Sequence, residues 1–201
     1  MKLYIILNLN HNIKKMGCSE GNYSSEGNYG DYGRKDTFFY TSCFSGNGKV
    51  KLINNTYKKV KDLNKGDILE NGSIVQCLII MKINSILQVV EINGIYYSLK
   101  HPIMYNGNWT YPISIKKPKE VFIDYFYNLV LSKGYSVKIN DIETITLGHC
   151  QVDGVAYHPY YGTEKVIQAL KKYNQFNDGK ILIEKKLKVE RDENGRTISY
   201  F

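Results

Sequence analysis

Leu87-Gln88-Val89-Val90-Glu91-Ile92-Asn93-Gly94-Ile95-Tyr96-Tyr97-Ser98-Leu99 decides the fold. Two runs rich in β-branched and aromatic residues flank an Asn-Gly pair. Asn-Gly tolerates the positive φ angles of a type I′ turn, so the stretch predicts a hairpin of strands Leu87–Ile92 and Ile95–Leu99. Similar punctuation recurs at Asn54-Asn55, Asn71-Gly72 and Asn106-Gly107. Apolar runs between these signals predict further strands at Lys49–Ile53, Tyr57–Val60, Ile74–Met81, Ile103–Tyr105, Val121–Leu131, Ser136–Ile139 and Ile142–Thr146. Asn140-Asp141 is a further turn candidate, since both residues accept the geometry. Many short strands at close spacing predict an all-β domain built of strongly bent strands.

The texture changes on either side of this pattern. Upstream, the segment Ser19-Glu20-Gly21-Asn22-Tyr23-Ser24 is nearly repeated by Ser25-Glu26-Gly27-Asn28-Tyr29. Such a Gly/Ser/Asn-rich stretch has too little apolar surface to offset its ordering entropy, so residues 1–42 read as a flexible leader. Downstream of His149, Thr163 is placed to cap a helix over 163–173 whose Val166, Ile167 and Leu170 share a face. The last stretch, 180–201, predicts one or two strands around a turn at Asn194-Gly195. The expected organisation is a leader over 1–42, a β domain over 43–150 and an α+β extension over 151–201.

Composition removes several function classes. The chain has 201 residues, a formal charge of +8 and 18 tyrosines. Its lysines are scattered in pairs such as Lys58-Lys59 and Lys171-Lys172, without an arginine cluster or a basic stretch interleaved with aromatics. A solvated basic surface explains them, and no nucleic-acid partner is expected. The four cysteines, Cys18, Cys43, Cys77 and Cys150, form no C-x-x-C pair and have no histidine at zinc-site spacing, so neither metal nor cofactor is implied. Cys77, within an apolar run, reads as a buried strand residue. No stretch is long and apolar enough to span a membrane, and a cytoplasmic location is the default expectation.

Cys43 carries the chemical reading. It stands at the junction of leader and β pattern, with Ser98 and His101 in a Ser-x-x-His arrangement and His149 near the pattern's end. A thiol that directly follows a peptide bond can attack that bond's carbonyl through a five-membered ring. Three requirements follow: a thiolate, donors for the oxyanion and an acid for the departing amine. The Ser42–Cys43 bond is then the scissile one, Ser98 a hydroxyl that polarises it, and His101 the proton donor. Pro102 holds His101 in extended backbone geometry. Each residue alone has a commonplace structural explanation; the combination and its order make the case.

Cys43-Phe44-Ser45-Gly46, then Lys59-Val60-Lys61-Asp62-Leu63-Asn64-Lys65-Gly66-Asp67-Ile68, resembles the opening of a Hint domain, the hedgehog/intein self-processing module. Ser98-Leu99-Lys100-His101-Pro102-Ile103 is similar to its Thr-x-x-His block, with Ser in place of Thr. Asn106-Gly107-Asn108-Trp109, Tyr127-Asn128-Leu129-Val130-Leu131, Thr146-Leu147-Gly148-His149 and His158-Pro159-Tyr160-Tyr161-Gly162-Thr163 resemble the Vint subgroup, from about Cys43 to the end of the chain. The resemblance implies an all-β, pseudo-twofold horseshoe of bent hairpins with a small C-terminal α+β extension. It also implies catalytic roles for Cys43, Ser98 and His101, and His149 as a further member of the site.

Departures from the family narrow the expected reaction. Ser98 lacks the threonine methyl that restricts its rotamer. Tyr135 and Asp141 stand where relatives often have His and Gly. His149 is followed by Cys150 without the Asn whose cyclisation releases an intein, so splicing is not expected. What remains is an N-to-S acyl shift at Ser42–Cys43 and release or ligation of the N-terminal segment to water, an amine, a thiol or a hydroxyl. Cys150 is a candidate second nucleophile. The rival expectation is a Hint fold that has lost its chemistry and serves as a binding or scaffolding module.

Overall fold

The 18-residue strand Val75–Ile92 organises the molecule. The computed structural model describes residues 42–184, 189–191 and 197–200. In chain order the strands are β1 (Lys49–Lys51), β2 (Tyr57–Lys59), β3 (Val75–Ile92), β4 (Ile95–Ser98), β5 (Ile103–Tyr105), β6 (Asn108–Thr110), β7 (Lys119–Leu131), β8 (Ser136–Ile139) and β9 (Ile142–Ile145). Two short helices follow, α1 (Glu164–Leu170) and α2 (Gln175–Asp178), and then β10 (Lys180–Ile183), β11 (Val189–Arg191) and β12 (Thr197–Tyr200). The fold is all-β with a small helical insertion near its C-terminal end, as expected.

Alternating burial on β3 explains its central place. It carries β7 and β4 antiparallel and β10 parallel, in the order β10-β3-β4 with β7 also on β3. A second four-stranded sheet runs β6-β5-β9-β8, and β1-β2 and β11-β12 are separate pairs. One face of β3 sends Cys77, Ile79 and Met81 into one apolar core. The other sends Leu78 and Val90 into a second core. Both ends of β3 are buried on two faces, whereas Lys82, Asn84, Ser85, Ile86 and Gln88 in its middle are exposed, and pairing with β7 carries the strand through that middle.

Two expected strands, Ile74–Met81 and Leu87–Ile92, are thus one strand with a bulge. Pairing with β7 skips from Lys82↔Tyr125 to Ser85↔Ile123, leaving Ile83 and Asn84 opposite one residue. Asn84 takes φ 48°, a left-handed value that asparagine tolerates better than most residues. The bulge bends β3 instead of ending it. The turns behave as their residues predict: Asn93 and Gly94 have φ 46° and 76°, and Asn140 and Asp141 have φ 46° and 66°. Both pairs close hairpins, β3-β4 and β8-β9. The Asn106-Gly107 turn also supports β6, a strand the periodicity missed.

Thr163 caps α1, its side chain accepting from the Lys165 N–H at 3.3 Å. The helix stops at Leu170 rather than running to 173, and a turn leads into α2, which ends at Gly179 with φ 84°. The buried face of α1 (Val166, Ile167, Leu170) and β10 (Ile181, Ile183) belong to the same apolar core as Cys43 and β3. The turn expected at Asn194-Gly195 lies outside the described residues.

Phe44 is fully buried between Tyr97 and Tyr127, meeting the Tyr97 ring edge-on at 6.4 Å. Phe44→Ala is expected to cost about 3–5 kcal/mol of unfolding free energy by urea titration. Ile53→Ala, at a side chain 57% exposed, is expected to change it by no more than about 0.5 kcal/mol.

Candidate functional site

Residues 43–45 form a short extended segment inserted between β4 and β7. The Phe44 N–H donates to the Tyr127 carbonyl (3.1 Å) and the Tyr127 N–H to the Phe44 carbonyl (2.8 Å). On the other edge the Ser98 N–H donates to the Cys43 carbonyl (2.9 Å) and the Ser45 N–H to the Tyr96 carbonyl (2.8 Å). Side chains on an extended segment alternate between faces. Phe44 therefore enters one core and Cys43 the other. The same alternation puts Ser98 opposite Tyr97 on β4, and Asn128 opposite Tyr127 and Leu129 on β7. Ser98 and Asn128 face the Cys43 side.

Both ends of the Ser42–Cys43 peptide bond are held. Its N–H donates to Ser98 Oγ at 3.0 Å. Its carbonyl oxygen, on Ser42, accepts from Asn128 Nδ2 at 2.7 Å. The Asn128 amide has only one orientation that works, because its Oδ1 accepts the Leu129 N–H at 2.7 Å. An amide set between a carbonyl and an N–H must turn its nitrogen to the carbonyl. Asn128 is 2% exposed. Its signal in the sequence was a polar residue at an inward-facing position of an apolar strand, and the periodicity of that strand would have found it.

His101 lies beneath this bond. The His101 N–H donates to the Ser98 carbonyl at 3.2 Å, a turn that brings the imidazole back under β4. Its Nε2 is 3.0 Å from the Ile145 carbonyl. A carbonyl only accepts, so Nε2 carries the proton, and Nδ1 in the neutral ring presents a lone pair. That lone pair faces Ser42 Oγ at 3.1 Å, and the hydroxyl donates to it. The ring is wedged edge-on against Phe44 at 5.2 Å. Complete burial pushes its pKa down to about 3, against smaller upward effects of the Ile145 and Ser42 carbonyls and a further downward push from His149. At neutral pH the imidazole is uncharged.

The thiol has different company. Cys43 is 2% exposed, and burial pushes its pKa up to about 12, with the Ser42 backbone pulling slightly the other way. Its sulfur lies 3.5 Å from Met81 Sδ. A small cavity of about 20 Å³ adjoins it, bounded by Ser42 and Asn128 on one side and by Ile79, Leu147, Val166 and Leu170 on the other. The backbone side of Cys43 is polar and its sulfur side is apolar.

The other expected members lie further out. His149 is buried at the end of the loop after β9, its pKa pushed down to about 4 by burial. Its Nδ1 accepts the Gln151 N–H at 3.0 Å. Its ring packs on Gly162, where a Cβ would come within 2.6 Å of Cε1. It influences His101 through space and stands outside the hydrogen bonds that grip the Ser42–Cys43 link. Cys150, the expected second nucleophile, is exposed and takes φ 55°. Among the described residues no group of three His, Cys, Asp or Glu side chains is placed to hold a metal ion. No helix among them is long and apolar enough to cross a membrane.

The arrangement can polarise one peptide bond from both ends and offer a sulfur and an imidazole beside it. The curated proteins contain no match to the chain. The family model for Vint, described as a Hint-domain, matches residues 42–199, from the residue before Cys43, through the β pattern, and on across α1 and β10. That match covers most of the sequence and carries the blocks around Cys43, His101 and His149 in order, so the chain belongs to the Vint family of Hint domains, a self-processing class of module.

Proposed function

We propose that the domain rearranges its own Ser42–Cys43 peptide bond into a thioester and then passes the N-terminal acyl segment to a second nucleophile. The observation that carries this reading is the double grip on that bond: Ser98 Oγ on the nitrogen side at 3.0 Å and Asn128 Nδ2 on the carbonyl oxygen at 2.7 Å. Among the described residues, a buried thiol, an amide donor and an imidazole meet at this peptide bond.

The rearrangement balances without a co-reactant. Cys43 Sγ loses its proton and bonds to the Ser42 carbonyl carbon. The oxyanion is stabilised by the Asn128 amide. The carbon–nitrogen bond then breaks, and the Cys43 nitrogen gains a proton to leave as an amine. His101 starts neutral with a lone pair on Nδ1, so it first takes up a proton and then delivers one. The Ser42 hydroxyl, hydrogen-bonded to that nitrogen, lies on the route. Ser98 accepts the nitrogen's own hydrogen and so holds the peptide unit in place while its carbonyl is attacked. The thioester then reacts with water, an amine, a thiol or a hydroxyl. His149 is a supporting group that biases His101 electrostatically.

One observation favours a second reading, a Hint fold that binds or scaffolds without reacting. A thiol pushed up to about 12 is protonated at neutral pH, and the thiolate is the nucleophile.

Mass spectrometry of the expressed chain separates the two. A product beginning at Cys43, released faster with dithiothreitol and absent from Cys43→Ala, is expected. An intact mass throughout would leave only the scaffold reading. Asn128→Ala is expected to slow release about 10²-fold, as for other single oxyanion donors, while circular dichroism stays native.

The buried groups also set the pH dependence. Release is expected to keep accelerating past pH 9.0, the ordinary value for the thiol, because burial moves its titration toward 12. Folding stability follows the opposite pattern on the two limbs. His101 is depressed from 6.5 to about 3, so its contribution is complete above 6.5 and fades as pH falls toward 3. Cys43 is raised from 9.0 to about 12, so its contribution is complete below 9.0 and fades as pH climbs. The urea midpoint is therefore expected to be flat between these limits and to fall outside them. His149→Gln should make the acid limb shallower.

A further inference from the structure

The sulfur side of the site is closed by a part of the chain that the acyl shift itself does not use. The cavity beside Cys43 is bounded on its outer side by Tyr161, Val166 and Leu170. At about 20 Å³ it has room for about one water molecule. Everything lining it apart from Ser42 and Asn128 is largely apolar, so it offers a polar nucleophile few partners.

The wall is anchored to the site rather than laid over it. The Gly148 N–H donates to the Tyr161 carbonyl at 2.8 Å and the Cys150 N–H to the Gly162 carbonyl at 2.7 Å. Ile167 rests so closely on Gly148 that a Cβ there would stand 2.8 Å from its Cδ1. Gly148 has φ 67°, so both its backbone and its missing side chain suit this contact. Val166 and Leu170 are each 1% exposed and lie in one core with Cys43. Thr163 fixes where the helix starts.

We propose that α1 is an acceptor filter: Val166 and Leu170, with Tyr161, shut the Cys43 thioester off from bulk water and from any nucleophile larger than the cavity. This rests on the thioester reading above. In the closed form the cavity holds no more than about one water molecule and offers it few polar partners, so attack on the acyl carbon is slow. A larger acceptor enters when α1 lifts from β3 and β7. On transfer the carbon–sulfur bond breaks, the carbon bonds to the acceptor atom, and the acceptor's proton passes to Cys43 Sγ. The closed wall thus favours retention of the acyl group over its loss to solvent.

The test compares hydroxylamine, a small acceptor, with glutathione, a tripeptide thiol, on the full chain and on Val166→Ala, Leu170→Ala and Ile167→Val. N-ethylmaleimide labelling of Cys43, read by peptide mass, runs in parallel and requires no self-processing. Wild type is expected to release faster with hydroxylamine than with glutathione. The variants are expected to raise the glutathione and water rates about tenfold, a bias of about 1.4 kcal/mol toward the open form, and to label faster to a similar degree. Folded variants with unchanged labelling and an unchanged acceptor ratio would overturn the filter. Faster labelling with no release from any form would keep the wall and overturn the thioester reading. Should Leu170→Ala fail to fold by circular dichroism, Val166→Ala and Ile167→Val carry the same comparison, since each removes less volume.

Discussion

The insertion of residues 43–45 between β4 and β7 is the constraint on which the molecule turns. Four backbone hydrogen bonds hold the segment from both edges. An extended backbone so held has no freedom to choose which side chain faces which way. Phe44 must enter one core, and Cys43 the other. A slip of one residue would exchange them, leaving an aromatic ring where the sulfur belongs. The thiol's position is therefore a matter of register, fixed by Phe44 packing on Tyr97 and His101. Packing and chemistry are selected by the same ladder.

Much of this was legible because it is local. Asn93-Gly94 and Asn140-Asp141 require left-handed backbone, and the hairpins follow from that requirement. Thr163 announces a helix start in a way that depends on three residues. That Ser98 and His101 would lie near Cys43 was what the resemblance to the Thr-x-x-His block implied, not something that spacing alone encodes. The parallel pairing of β10 with β3, by contrast, joins residues about a hundred positions apart, and no local pattern encodes it. The continuity of β3 was hidden because Ile83 and Asn84 look like an interruption, and a bulge can absorb what a turn would otherwise need. Asn128 was passed over as part of an apolar run, although period-two reading places it with Phe126 and Val130 on the Cys43 face.

The low-dielectric setting acts on the site in two opposed ways. It holds the thiol protonated and the imidazole neutral, since each charged form loses solvation there. It also strengthens the hydrogen bonds from Asn128 and Ser98, because little water competes for them. A site of this kind is quiet at rest yet well prepared for an oxyanion. On the proposed function, the energetic difficulty moves from stabilising the intermediate to starting the proton transfer, and neutral His101, with a lone pair turned to the Ser42 hydroxyl, is the group proposed to start it.

The C-terminal part of the domain cannot be separated from this balance. Val166, Leu170 and Ile181 share one core with Cys43, Met81 and Val130. Their packing is what removes water from the sulfur, and the removal of water is what sets the pKa of the thiol. A substitution that loosens α1 changes dielectric, access and stability together, because these are three consequences of one contact surface. The family match running unbroken from residue 42 to 199 agrees with that physical unity. Residues on both sides of position 150 thus build the one core in which the Cys43 thiol lies.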